Sequence, residues 1–251
     1  FYSCSVGLVV SGSASDGEGS VLPDGTVFTR TGLLEAFGSC ILAEIEAFEG
    51  QSRALSQAAM AAVDGADPTA LDEVRRAWEG AIDTWQRLES MHVGPARRKT
   101  QPGGKGIRDT IYSWPYRDYC ELDKNLVSEI YDSNPDEVSA AAKGLWAAEY
   151  LLFYTGEGNA CPSDDPINAD GAWSELDSST LRARRAQYTA FVAKSVADAA
   201  GRLLDAWSPS GGDFLSELSK AGAESRTYGK QRVAINAVSD ETGVIAGVNA
   251  E

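Results

Sequence analysis

A single histidine, two methionines and no apolar run near the roughly 20 residues needed to cross a bilayer mark this sequence first. With His92 alone, no two-histidine zinc site can be built, and a Ser-His-Asp triad would rest on one residue at a helix end. Cations are also scarce: 22 Lys and Arg stand against 37 Asp and Glu, a formal net charge of -15. The polyanionic backbone of DNA or RNA repels such a chain, which excludes nucleic acid as a partner. Only one local stretch runs against the trend, with Arg97, Arg98, Lys99, Lys105 and Arg108. It follows a helix end, where cations are favoured by the helix dipole without any partner. Proline is sparse as well, at 9 of 251 residues, and 43% of the chain is hydrophobic. This is the composition of a folded globular protein of one large or two small domains.

Cysteine is limited to Cys4, Cys40, Cys120 and Cys161, widely spaced and without a CxxC pair or a histidine-rich neighbour. That spacing suits disulfides better than a zinc site and implies an oxidising, extracytoplasmic compartment. The sequence starts at Phe1 with neither Met nor a basic n-region, as expected after removal of a signal peptide. Phe1-Tyr2-Ser3-Cys4 makes a poor lipoprotein box, so Cys4 reads as a bridge partner more than as a lipid attachment point.

Residues 1–30 are Gly/Ser-rich and read as an irregular arm or a short hairpin, with an apolar Val6–Val10 run available for self-association. From Leu33 the pattern turns helical. Leu34, Phe37, Ile41, Ile45 and Phe48 mark one face of a helix that continues to Val63 despite Gly50. Asp67 as N-cap and Pro68 in the first turn start a second helix, with Leu71, Val74, Trp78, Ala81, Trp85 and Leu88 as its stripe. Gly94-Pro95 closes it. A loop over 93–118 leads to a short helix with Leu122, Leu126, Val127 and Ile130 inward. Asn134-Pro135 then predicts a helix over 136–154, apolar around most of its circumference. A long helix follows from Ser179 to Trp207, then a turn from Phe214 to Leu218 and a last helix from Gln231 to Ile245. Nothing alternates with period two after residue 30. The predicted class is all-α, an antiparallel helical bundle, and no strand precedes any phosphate-binding loop.

Glu149 is the sharpest chemical feature, because it is the only charged residue between Gly144 and Gly156. Among Leu145, Trp146, Leu152 and Phe153 an ionised carboxylate costs several kcal/mol unless it is paired, hydrogen-bonded or metal-bound. The spacing therefore predicts either an internal partner or a bound ligand or metal. Trp78, Trp85, Trp114 and Trp146 read either as core or as an aromatic ligand box.

These residues carry a resemblance. Ile111-Tyr112-Ser113-Trp114-Pro115, then Cys120 and Asp123, then Gly144-Leu-Trp-Ala-Ala-Glu149-Tyr-Leu-Leu-Phe153, then Arg182, Arg185 and Tyr188 before Trp207, resemble the imelysin family over residues 33–240. The resemblance implies a periplasmic, secreted or cell-surface protein of two helical bundles, related to insulin-cleaving metallopeptidases and linked to iron uptake. It also implies pairing of Cys120 with Cys161. The family signature is Gly-x-His-x-x-Glu; here Gly144 and Glu149 match, while Trp146 stands at the histidine position.

The expected organisation is an arm over 1–30, a first bundle over 31–160 with the signature helix, and over 161–251 the long helix and the start of a second bundle, incomplete or completed by another subunit. The expected function is binding without catalysis, of a small ligand or a metal such as iron or another divalent cation. Trp114, Trp146 and Glu149 would form the site, with Arg108 and Asp123 as polar lining and Glu149 as the metal contact. A metallopeptidase built on carboxylate ligands and a structural or adhesion module are the alternatives.

Overall fold

Heptad spacing decides how the longest helix is buried. In the computed structural model, which describes residues 20–21, 27–63, 68–113 and 115–239, α1 runs unbroken from Arg30 to Val63. Leu34, Ile41, Ile45, Phe48, Leu55 and Ala59 are each at most 1% exposed, so alternating steps of three and four carry one buried seam along the helix. Phe37, expected on this face, is half-buried beside it. The second helix, α2, covers Pro68–Glu89; Val74, Ala81, Trp85 and Leu88 are buried, whereas Leu71 is exposed. Asp67 and Cys4 lie outside the described residues.

The remaining helices are α3 (Arg108–Ile111), α4 (Tyr119–Ser128), α5 (Ile130–Ser133), α6 (Leu145–Phe153), α7 (Pro166–Ala169), α8 (Ser178–Trp207), α9 (Phe214–Ser219) and α10 (Gln231–Ser239). The fold is all-α; before α1, Ser20–Val21 (β1) and Val27–Phe28 (β2) pair antiparallel as a minimal ribbon, in keeping with a short hairpin.

The helix expected over 136–154 is shorter. Pro135–Glu137 and Ala140–Ala142 form separate 3-10 turns, because Val138 is extended, and only α6 is α-helical. The break before α6 has a local cause at Gly144, whose φ is +86° and whose added Cβ would lie 2.8 Å from the Ile111 carbonyl oxygen. No residue with a side chain fits there without strain.

The helices assemble two compact units from interleaved segments rather than from consecutive ones. The first takes its described residues from the chain up to Ala47, from Trp85–Ile107 and from Arg202 onward. Its core gathers Trp207, Phe214 and Tyr228, with ring centroids 5.0 Å and 6.2 Å apart in sequence order. Gly94 and Gly103 lie so close to the Phe214 ring that a Cβ at either would overlap it. His92 is buried, packed 4.9 Å from the Trp85 ring. The basic stretch folds as a tight loop here, with the Gly106 N–H donating to the Arg97 carbonyl at 2.6 Å. Arg97 is buried, while Arg98, Lys99 and Lys105 face solvent.

The second unit comprises Phe48–Thr84 and Arg108–Gly201. Its centre is the phenol of Tyr188, fully buried, which donates to the Ala142 carbonyl at 2.9 Å and accepts from Asn125 at 2.9 Å. Tyr131 stacks on it at 4.6 Å. Asp118 caps α4 by accepting the Glu121 N–H. Arg184 satisfies the C-terminal end of α4, donating to the Leu126 and Val127 carbonyls. The signature helix α6 belongs to this unit, as do Arg108, Asp123, Trp146 and Glu149, whereas Cys40 and Trp85 fall in the first.

Candidate functional site

On α6, Leu145, Trp146, Ala147, Ala148, Leu151 and Leu152 are buried. At about 100° per residue, that leaves one narrow solvent-facing sector, occupied by Glu149 and, one turn on, Phe153. Glu149 is therefore exposed, and it has no hydrogen-bond or ion-pair partner among the described residues. The expectation of a buried carboxylate at this position is corrected: apolar neighbours at three and four residues fill the flanks of the sector and do not cover it.

Trp146 is buried at 2% exposure, and its indole N–H donates to the Ser113 hydroxyl at 2.9 Å. Ser113, 1% exposed, donates in turn to the Tyr116 carbonyl at 3.3 Å. The segment that resembles the family's Tyr-Ser-Trp-Pro motif is thus tied by its serine to the signature helix. Trp114 itself lies outside the described residues. Arg108, at the start of α3, is half-buried and has the Asp109 carboxylate 3.9 Å away.

The buried carboxylate of this unit is Asp123, with no exposure at all. Its oxygens accept the Ala160 N–H at 2.7 Å and the Tyr150 hydroxyl at 3.1 and 3.3 Å. Burial raises its pKa from 3.8 to about 6, against the lowering effects of the Ala160 N–H, the Tyr150 hydroxyl and the Arg185 charge. Burial, then the neighbouring carboxylate, pushes the Tyr150 phenol upward.

Rings connect these groups. Tyr119 meets the edge of Trp146 at 5.3 Å and tilts against Tyr150 at 5.1 Å; Tyr150 stacks on Tyr154 at 4.9 Å. The Arg185 guanidinium lies 5.3 Å over Tyr154 and donates to the Tyr154 and Gly156 carbonyls just beyond the end of α6. Tyr119 and Tyr154 are part-exposed at 38% each, so the ladder reaches the surface. The structure thus joins Trp146 to Asp123 through Tyr119 and Tyr150, and leaves Glu149 outside this network. Sequence reasoning missed Tyr119, Tyr150 and Tyr154. Their signal was present, since Tyr119 and Asp123 lie one turn apart on α4, as do Trp146 and Tyr150 on α6.

Cys120 and Cys161 are bonded to each other, with Cα atoms 4.5 Å apart, as the resemblance implied. Cys40 is disulfide-bonded too. Lys124 lies 2.6 Å from Asp165, and that hydrogen bond holds the Asp165 carboxyl below its usual range.

The donor set around the signature does not fit a resident metal. An indole N–H is a donor only, and here it is already committed to Ser113. Among the described residues, the one group with three ligand atoms within 4.8 Å is Cys120, Cys161 and Asp165, and its two sulfurs are bonded to each other. Glu149 does not belong to it.

Among the described residues, no helix is long and apolar enough to cross a membrane. The chain is similar in fold to a crystallised protein designated an iron-regulated protein A precursor, from Parabacteroides distasonis. The TM-score is 0.64 with 16% identity, over 89% of this chain and 60% of that one. The chain therefore spans 60% of that protein's length. No curated protein matches it. The profile described as Imelysin matches residues 41–248, which contain the Ser113–Trp146 tie, the Asp123 network and the signature helix, and the chain belongs to the imelysin family.

Proposed function

We propose that this chain is a non-catalytic, extracytoplasmic binding protein of the imelysin family that serves iron uptake by holding iron or a small ligand. The observation that carries the reading is Trp146, which occupies the signature histidine position, lies buried, and spends its only polar group on Ser113. Without that imidazole, Glu149 alone cannot fix a catalytic metal with an open coordination position. Disulfide bonding at Cys40, Cys120 and Cys161 supports an oxidising compartment. The name of the similar crystallised protein supports the iron connection. The binding surface is the exposed edge of α6, where Glu149, Phe153 and Tyr154 meet solvent beside Tyr119.

The test loads the oxidised protein with iron, zinc or copper, measures bound metal by mass spectrometry, and assays peptide hydrolysis beside Glu149→Gln. No turnover at any loading is expected, either in the wild type or in Glu149→Gln. Chelator-sensitive hydrolysis lost in Glu149→Gln would replace this reading with the metallopeptidase.

A further inference from the structure

Cys120, Cys161 and Asp165 supply no side chain to the proposed binding surface. Their sulfur and carboxylate atoms all fall within 4.8 Å of one another, with Asp165 Oδ2 3.8 Å from Cys120 Sγ. While the bridge is intact neither sulfur is a thiolate, and the group cannot take a metal.

The loop bearing Cys161 is held by more than the bridge. The Cys161 N–H donates to Asn159 Oδ1 at 3.0 Å, and Asn168 donates to the Cys161 and Pro162 carbonyls at 3.2 and 2.8 Å. Asn159 and Asn168 bond each other at 2.7 and 3.1 Å, and the Ala160 N–H is anchored on buried Asp123. Cys120 stands in the first turn of α4, whose N-cap is made by Asp118. Cleavage of the S–S bond therefore leaves two thiols facing each other beside a carboxylate.

We infer that the reduced protein binds Zn2+ at this place, with the Cys120 and Cys161 thiolates and the Asp165 carboxylate as ligands and water completing a tetrahedron. The step needs a two-electron reductant: a dithiol passes two electrons and two protons to the bridge and is itself oxidised to a disulfide, and a phosphine does the same with one water, leaving as its oxide. Zinc then displaces both thiol protons to solvent. Side-chain rotation opens the sulfurs around the ion. The charges close: two thiolates and one carboxylate are balanced by Zn2+ and by the Lys124 ammonium, already 2.6 Å from Asp165. Two soft sulfurs select zinc over magnesium or calcium.

The full chain is reduced with a phosphine, freed of reductant without air, and titrated with Zn2+ against a chromophoric chelator. Co2+ is titrated in parallel, since its charge-transfer absorption reports thiolate ligation. One Zn2+ per reduced chain is expected, with no comparable uptake by the oxidised chain. Cys120→Ser with Cys161→Ser, leaving Cys4 and Cys40 in place, should abolish it. Asp165→Asn should weaken it at least tenfold without loss of far-UV helical signal, because Asn also caps α7. Equal uptake by reduced and oxidised protein, uptake surviving the double Ser variant, or full affinity in Asp165→Asn would each overturn the assignment.

Discussion

Asp123→Asn should change how stability depends on pH. The folded protein holds the Asp123 proton more tightly than the unfolded chain does, because burial lifts its pKa from 3.8 to about 6. A group raised in this way contributes stability that is fully present below about pH 4 and is lost as pH rises through about 6. At about 1.4 kcal/mol per pKa unit, roughly two units correspond to about 3 kcal/mol between acid and neutral conditions. Asn cannot titrate, so the difference in unfolding free energy, wild type minus variant, should fall by that amount between pH 4 and 7. Urea unfolding followed by tryptophan fluorescence at half-unit pH steps measures it. Subtracting the variant cancels the other titrating groups, and the slope is the test, whatever the offset from altered bonds to Ala160 and Tyr150. A difference that stays flat from pH 4 to 7 would refute the reasoning.

Two further predictions concern the signature helix. Glu149→Leu should alter stability by no more than about 0.5 kcal/mol, since the side chain is exposed and has no partner among the described residues; a loss of about 3–5 kcal/mol in chemical denaturation would mean a buried, paired charge instead. Trp146→Phe and Ser113→Ala should each destabilise, and a double-mutant cycle should return a coupling of about 1 kcal/mol for the shared hydrogen bond. Additive effects would show that the bond contributes nothing.

The long helices were readable because their buried positions repeat at three and four residues, as along α1 and at Leu181, Tyr188, Val192, Ala199 and Leu203 on α8. Periodicity also marked α6 as central, and in doing so misled the reading of Glu149: when six of nine residues are buried, the pattern no longer shows where the solvent-facing sector falls. The break in the predicted 136–154 helix at Gly144 depended also on the Ile111 carbonyl, 33 positions earlier, which local propensity cannot see. The same holds for Asp123, whose burial is set by Tyr150 and Ala160 from other elements. The interleaving of the two units left no composition shift or linker to read, since α1, α2 and α8 each supply residues to both without interruption.

That interleaving reverses the usual order in which a nascent chain can mature. Everything the second unit requires lies between Phe48 and Gly201, so it can close while the rest is still being made. The unit holding the earliest described residues must wait for Arg202 and beyond, with the Leu34–Ile45 seam of α1 and the Phe214 contacts of Gly94 and Gly103 unmet until then. The N-terminal half of α1 is thus buried later than the second unit, the opposite of the N-terminal-first maturation common in multidomain proteins. No cut at a single point along the sequence can separate one unit from the other.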